Sequence, residues 1–392
     1  MGCYAAIMAE ALRNLLDEVA VGQLGFHLAR VLPGLDRHAF ETEACAGLQA
    51  LELKARVQHL SAVLERHLQR VLADDFAAAC DALEAALAPP GTVPWGEAPR
   101  GPADPAAGLA GWVVWPLTDW VARCGLHQPD RALDALHAMT QRFTAEWAVR
   151  PFIERHPERT WARLAAWCED PSEHVRRLAS EGSRPRLPWG RQLQGLIRDP
   201  APTLPLLARL QDDPSAYVRR SVANHLNDIS RDHPEQLLRW LQAHLPQAPA
   251  PRRALLRHAS RTLIKAGHAQ VLAAWGQGEP LAGRATLALR PGAIALGEAV
   301  ELRVGLQSQA GSAQPLVIDY AVHHVKADGR TSPKVFKGWT LTLAPGEARV
   351  LVRRHALRAI STRRHHPGWH RVTLQVNGQT LAEAGFELLT GG

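Results

Sequence analysis

Three acidic residues, Glu146, Glu181 and Asp228, stand in segments that are otherwise apolar or basic. Arginines crowd the same stretch: Arg150, Arg176, Arg177, Arg184, Arg186, Arg219 and Arg220. Carboxylates can stabilise a developing positive charge and aim a water molecule. Guanidinium groups present a planar fork that fits phosphate. Acids ringed by arginine on a basic surface therefore point toward DNA. Arg177 and Glu181 are four apart, as are Glu146 and Arg150 before Pro151, so each pair is expected to share a helix face. The same spacing also serves solvated surface pairs and the Asp–Arg ladders that brace helical stacks. Spacing alone leaves both readings open.

The elements that must position these acids are repeats. The pattern Asp-Pro-Ser-x-x-Val-Arg-Arg occurs at Asp170–Arg177 and again 43 residues later at Asp213–Arg220. Two x-Pro turns, His156-Pro157 and Asp199-Pro200, are separated by the same 43 residues. That period lies within the ~40–47 residues of HEAT or armadillo repeats. Corresponding helices of such a stack line one concave surface, so Glu146, Glu181 and Asp228 are placed to converge across neighbouring repeats. Directly after Glu181 comes Gly-Ser-Arg-Pro-Arg-Leu-Pro-Trp, ending at Trp189. Two prolines make this a stiff loop. Its arginines, Arg184 and Arg186, and the Trp189 indole suit phosphate contact and base stacking, while a Trp189 buried beneath the loop is the alternative.

Around this stretch the chain reads in two parts. Helical periodicity runs from about Ala5 to Leu87, is interrupted by the Pro- and Gly-rich Ala88–Pro105, and resumes from Trp112 to about Trp275. Gly276–Arg284 has the composition of a linker. Beyond it come seven short alternating runs separated by turn residues, among them Asn377-Gly378, a strong hairpin signal. About seven strands in roughly 100 residues is the expectation for an immunoglobulin-like sandwich. The fold class is thus an all-α HEAT-like solenoid over 1–275, a linker at 276–283, and an all-β immunoglobulin-like sandwich over 284–392.

Bulk composition agrees. The chain has 392 residues, 46% of them hydrophobic, and a net charge of +7 carried almost wholly by arginine. Its five cysteines are dispersed and form no C-x-x-C pair, which argues against a disulfide framework or zinc ribbon and for a reducing cytoplasm. No apolar run is long enough to span a membrane. Acids at Glu10, Asp17 and Glu18 do not suit a signal peptide, and Ala6 departs from the myristoylation pattern after Met1-Gly2-Cys3. We expect a cytoplasmic, nucleoid-associated bacterial monomer. The basic loop Arg363–His370 is a candidate DNA contact; its histidines lack the acid or cysteine that would complete a metal site.

The segments Leu51–Leu60, Thr144–Glu158, Asp170–Trp189 and Asp212–Glu235 resemble the DNA alkylation-repair glycosylases built from HEAT-like repeats, in the AlkC branch of the AlkC/AlkD type. The resemblance covers most of residues 1–275, and some members append an immunoglobulin-like domain. It implies that Glu146, Glu181 and Asp228 are the catalytic acids and that Arg177 and Trp189 flank the lesion. The family usually has Phe after the first acid, where this chain has Trp147. It further implies N-glycosidic hydrolysis of cationic alkylated purines, N3-methyladenine foremost, in duplex DNA without full base flipping. Such bases leave without a general acid, and no metal or cofactor is required. DNA contacts are expected from Arg177, Trp189, Arg150, Arg184, Arg186, Arg219 and Arg220. Two other readings stay open: a non-enzymatic HEAT scaffold for DNA or protein, and a glycosylase-derived protein that senses DNA shape without cleaving.

Overall fold

A computed structural model describes residues 14–90, 105–277, 279–358 and 364–389. Met1-Gly2-Cys3, the centre of the Pro-rich stretch and Arg363 lie outside the described residues.

Sixteen α-helices are described before the first strand. They are α1 (Glu18–Val31), α2 (Arg37–Cys45), α3 (Leu53–Leu72), α4 (Phe76–Ala85), α5 (Trp115–Cys124), α6 (Pro129–Thr140), α7 (Arg150–Arg155) and α8 (Pro157–Trp167), then α9 (Glu173–Gly182), α10 (Gln194–Arg198), α11 (Leu204–Leu210), α12 (Ala216–Asp232), α13 (Pro234–His244), α14 (Ala250–Ala259), α15 (Arg261–Lys265) and α16 (Ala269–Ala274). Local chemistry starts them. Asp17, Asp36 and Asp75 cap α1, α2 and α4 by accepting from the amides of Ala20, Ala39 and Ala78 at 2.9–3.0 Å. Prolines open α6, α8 and α13, where a missing N–H costs nothing.

The two sequence repeats fold alike. Asp170 accepts from the Ser172 amide at 2.8 Å, and Asp213 accepts from the Ser215 amide at 2.8 Å. These turns start α9 and α12, which pack against each other. The first arginine of each Arg-Arg pair folds back on its own turn: Arg176 donates to the carbonyls of Asp170 and Pro171, and Arg219 to those of Asp213 and Pro214. Arg176 also grips the Asp213 carboxylate of the next repeat at 2.7 and 3.1 Å. The repeated motif is therefore the joint of the stack.

Eight strands follow: β1 (Gly283–Arg290), β2 (Ala293–Ile294), β3 (Ala299–Ser308), β4 (Gln314–Val325), β5 (Thr331–Leu343), β6 (Ala348–Ala356), β7 (Gly368–Val376) and β8 (Gln379–Leu388). They form a sheet of order β1-β3-β6 and a sheet of order β2-β8-β7-β4-β5. Seven match the alternating runs. The eighth, β2, is two residues paired parallel to β8, too short for alternation to reveal. Inward residues of β3 (Val300, Leu302, Val304, Leu306) meet Ile318, Tyr320, Val372, Leu374 and Phe386 in the core. Asn377 and Gly378 take positive φ of 47° and 81° in the β7–β8 hairpin, as a primed turn requires.

The chain clusters into two compact units. One runs to Asp232 and takes in Pro249–Leu255; the other takes His233–Ala248 and the chain from Leu256 onward. Helix gives way to strand between Ala274 and Gly283, and the last helical segments cluster with the sandwich. Gly267 and Gly378 touch backbone to backbone there: a Cβ on either would lie 2.8 Å from the other's Cα.

Candidate active site

Glu146 sits in a turn closed by the Ala148 and Val149 amides donating to Ala145 O at 3.0 and 3.2 Å. Helix α7 begins only at Arg150, with Pro151 in its first turn. Proline thus opens a helix here instead of ending one, and Glu146 and Arg150 do not share a helix face. The turn lies against the end of α9: a Cβ on Gly182 would come within 2.4 Å of Val149 Cγ1. That approach carries Glu146 to Arg177.

The three acids form one chain of ion pairs. Arg177 lies 2.9 Å from Glu146 Oε2 and 3.6 Å from Glu181 Oε1. Arg184 lies 2.6 Å from the same Glu181 oxygen and 2.8 Å from Asp228 Oδ2. Hydroxyls complete it: Thr144 donates to Glu146 at 2.7 Å, and Ser221, on α12, donates to Glu181 Oε2 at 2.6 Å. The Arg177 guanidinium also rests 4.7 Å over the Tyr217 ring. Three elements supply the acids: the turn before α7, the last turn of α9, and α12.

Three carboxylates share two ion-paired guanidiniums. Side-chain exposure is 10% for Glu146, 6% for Glu181 and 3% for Asp228, which makes Glu146 the most accessible acid. Burial alone would raise the Glu181 pKa, but Arg177, Arg184 and the Ser221 hydroxyl outweigh it and hold the carboxyl below its usual range. Asp228 goes the other way: burial raises its pKa, and the bond from Arg184 only partly offsets this. Burial opposes the charge on Arg177, yet Glu146 and Glu181 lift its pKa further. Behind the acids, burial drops the His225 pKa to about 3, and its Nδ1 lies 2.9 Å from Ser180 O. A neutral imidazole there is no proton donor at ordinary pH.

The other arginines divide by role. Arg150 is fully buried, and its donors go to the carbonyls of Gly182, Arg184 and Arg191 at 2.6–2.8 Å. Burial lowers its pKa to about 10. The expected phosphate contact from Arg150 gives way to an internal bracing role. Arg184 is 6% exposed inside the acid cluster, so it too is a bridge between carboxylates and not a surface contact. Arg219 is committed to its own turn. Arg186 is half-buried but pairs Asp232 through two bonds of 2.8 Å. Arg220 is exposed, with no ion pair among the described residues. Trp189 is 53% exposed at a positive φ of 61°, so the buried alternative is excluded.

Sequence reasoning passed over Thr144, Ser221 and Tyr217. Ser221 lies 40 residues after Glu181, and the 43-residue register draws attention to Asn224 instead. Trp147 stacks on Trp115 with ring centroids 4.2 Å apart and donates from Nε1 to Pro188 O at 3.2 Å. In the sandwich, His324 packs against His365 and His370 at 5.3 and 5.6 Å between centroids. Among the described residues no group of three or more His, Cys, Asp or Glu is placed to hold a metal.

Residues 139–263, which contain all three acids, match the family described as DNA alkylation repair enzyme. Residues 284–390 match the C-terminal Ig-like domain of the uncharacterised protein YhaZ. The chain is 34% identical to "Uncharacterized protein YhaZ" of Bacillus subtilis (strain 168) over 383 residues, covering 96% of this chain and 99% of that one. It also superposes on Pseudomonas fluorescens alkylpurine DNA glycosylase AlkC bound to DNA containing an abasic site analog, with a TM-score of 0.85 and 35% identity. That match covers 97% of this chain and 99% of the other. The chain belongs to the HEAT-like-repeat DNA alkylation-repair glycosylase family, in its AlkC branch with an appended immunoglobulin-like domain.

Proposed function

We propose that this protein hydrolyses the N-glycosidic bond of cationic alkylated purines in duplex DNA, with N3-methyladenine the preferred base. The observation that carries this reading is the convergence of Glu146, Glu181 and Asp228 on two guanidiniums through contacts of 2.6–3.6 Å. An N3- or N7-alkylated purine is already positive and departs without protonation. Glu181, held ionised by Arg177 and Arg184, cannot act as a general acid, which fits such a substrate. Negative charge instead stabilises the oxocarbenium-like sugar and orients water toward C1′. Accessibility favours Glu146 as the acid nearest the deoxyribose, with Glu181 and Asp228 supplying field and water alignment from behind. Side-chain exposures of 3–10% open the acids only at their edges, which supports approach to the sugar from one side over rotation of a purine into a pocket. Exposed Arg220 and Trp189 are suited to a phosphate and a base face.

The scaffold reading draws on one observation: buried ion pairs also fix structural specificity without catalysis. One experiment separates the two. The protein is incubated with methylated duplex DNA and released bases are measured by chromatography, beside Glu181→Gln and a binding assay on duplex carrying an abasic-site analogue. Release by wild type, lost by orders of magnitude in Glu181→Gln with binding retained, is the expected result. Binding without release by wild type would overturn the enzyme reading.

A further inference from the structure

The segment from Gly182 to Arg191 leaves helix α9 as a run of turns, yet its carbonyls are taken one after another by side chains from elsewhere. Arg150 takes those of Gly182, Arg184 and Arg191 at 2.6–2.8 Å. Trp147 takes that of Pro188 at 3.2 Å, and Lys54, on α3, takes that of Trp189. Trp189 itself has a positive φ of 61°, a conformation that bulky residues avoid unless their surroundings impose it. Its indole is 53% exposed, so burial of the ring does not account for that backbone. A local turn does: the Gly190 amide donates to Leu187 O at 3.2 Å, with Pro188 second and Trp189 third, the position at which such a turn takes positive φ, and the bonds to the Pro188 and Trp189 carbonyls anchor that turn to the rest of the fold.

We propose that Lys54 and Trp147 are positioning residues that hold the 182–191 segment as a preformed stacking platform with Trp189 as its exposed face; this rests on the glycosylase reading above. Arg150 braces the base of the segment. Trp147 can act in this way because its ring is already fixed on Trp115 at 4.2 Å, which fixes the direction of its N–H. A phenylalanine at 147 would keep an aromatic stack and lack the donor. Holding the indole in place before DNA arrives removes an ordering cost from the bound state and sets the distance between the stacked base and Glu146. The segment then contributes to the chemical step, not only to affinity.

The test uses the full chain with Trp147→Phe and Lys54→Met, alone and in a Trp189→Ala background. Single-turnover release from methylated duplex is expected to fall roughly three- to ten-fold in each single variant, the factor that follows from one lost hydrogen bond. Half-saturating DNA concentration should change less than the rate. In the Trp189→Ala background neither substitution should slow release further, because the residue they act through is gone. Full additivity with Trp189→Ala would overturn the proposal. So would unchanged rates in both single variants. Hydrogen exchange of peptides spanning 184–191 supplies a readout that needs no catalysis. Faster exchange in both variants is expected even if wild type releases no base, and unchanged exchange would overturn the platform itself.

Discussion

Replacing Arg184 with Met should expose how the acid cluster balances its charge. Arg184 bridges Glu181 at 2.6 Å and Asp228 at 2.8 Å, and it is 6% exposed. Breaking a buried pair by removing one partner costs about 3–5 kcal/mol, since the other charge is left uncompensated. Glu181 would keep Arg177 at 3.6 Å and the Ser221 hydroxyl at 2.6 Å. Asp228 would lose its one ion pair among the described residues while remaining 2% exposed. The loss therefore falls mainly on Asp228, and the lower end of the range, about 3 kcal/mol near pH 8, is the expectation. The sign of the pH dependence follows from the pKa. Asp228 is raised in the folded protein, chiefly by burial, so its contribution to stability is present below its unfolded pKa and lost as pH rises through the folded one. Without Arg184 the folded pKa climbs further and that window widens. Acidifying from about pH 8 to pH 5 should then return part of the lost stability, at up to ~1.4 kcal/mol per pH unit inside the window. In the wild type, Glu181 is depressed; its contribution is lost only as pH falls below the ordinary glutamate range toward its folded pKa. Urea denaturation of wild type and variant across this pH range measures the difference directly. A stability gap that does not change with pH, or one under about 1 kcal/mol at pH 8, would refute the reasoning.

Three further outcomes are expected. The acid limb of kcat/KM for base release should lie above the ordinary aspartate value of ~3.9, because Asp228 is the raised acid and Glu181 the lowered one; Asp228→Asn should abolish that limb in a pH–rate profile. Arg220→Ala should reduce the slope of log K against log salt for DNA binding by about one, whereas Arg219→Ala, which removes a turn brace, should leave the slope unchanged. Gly182→Ala forces a Cβ to 2.4 Å from Val149 Cγ1 and displaces the turn that carries Glu146. It should destabilise by about 1–3 kcal/mol in denaturant titration and slow release, beside Gly195→Ala, whose Cβ meets nothing within 4 Å.

What the chain's own pattern settled was periodic or local. The 43-residue offset, the Asp-Pro-Ser turns and the alternating runs after Gly283 depend on spacing along the backbone, so the solenoid and the sandwich are legible in the sequence. The three acids stood out in sequence as charges in an apolar or basic stretch, and a catalytic role for them was implied only by the resemblance to the repair glycosylases. Partner choice was not legible. Seven arginines look equivalent in sequence, yet Arg176 and Arg219 fold onto their own turns, Arg150 is consumed by carbonyls 32–41 residues away, and Arg184 bridges to Asp228 across 44 residues. Arg177 enters the acid cluster, and Arg220 alone of the Arg-Arg motif keeps its fork in solvent. A guanidinium's role is set by which acceptors lie within about 3 Å of it. Those acceptors come from distant segments brought together by packing. Trp189 makes the same point: its sequence neighbours suited either burial or display, and the fold leaves it 53% exposed on a turn whose carbonyls accept from Lys54 and Trp147, residues far away in the chain.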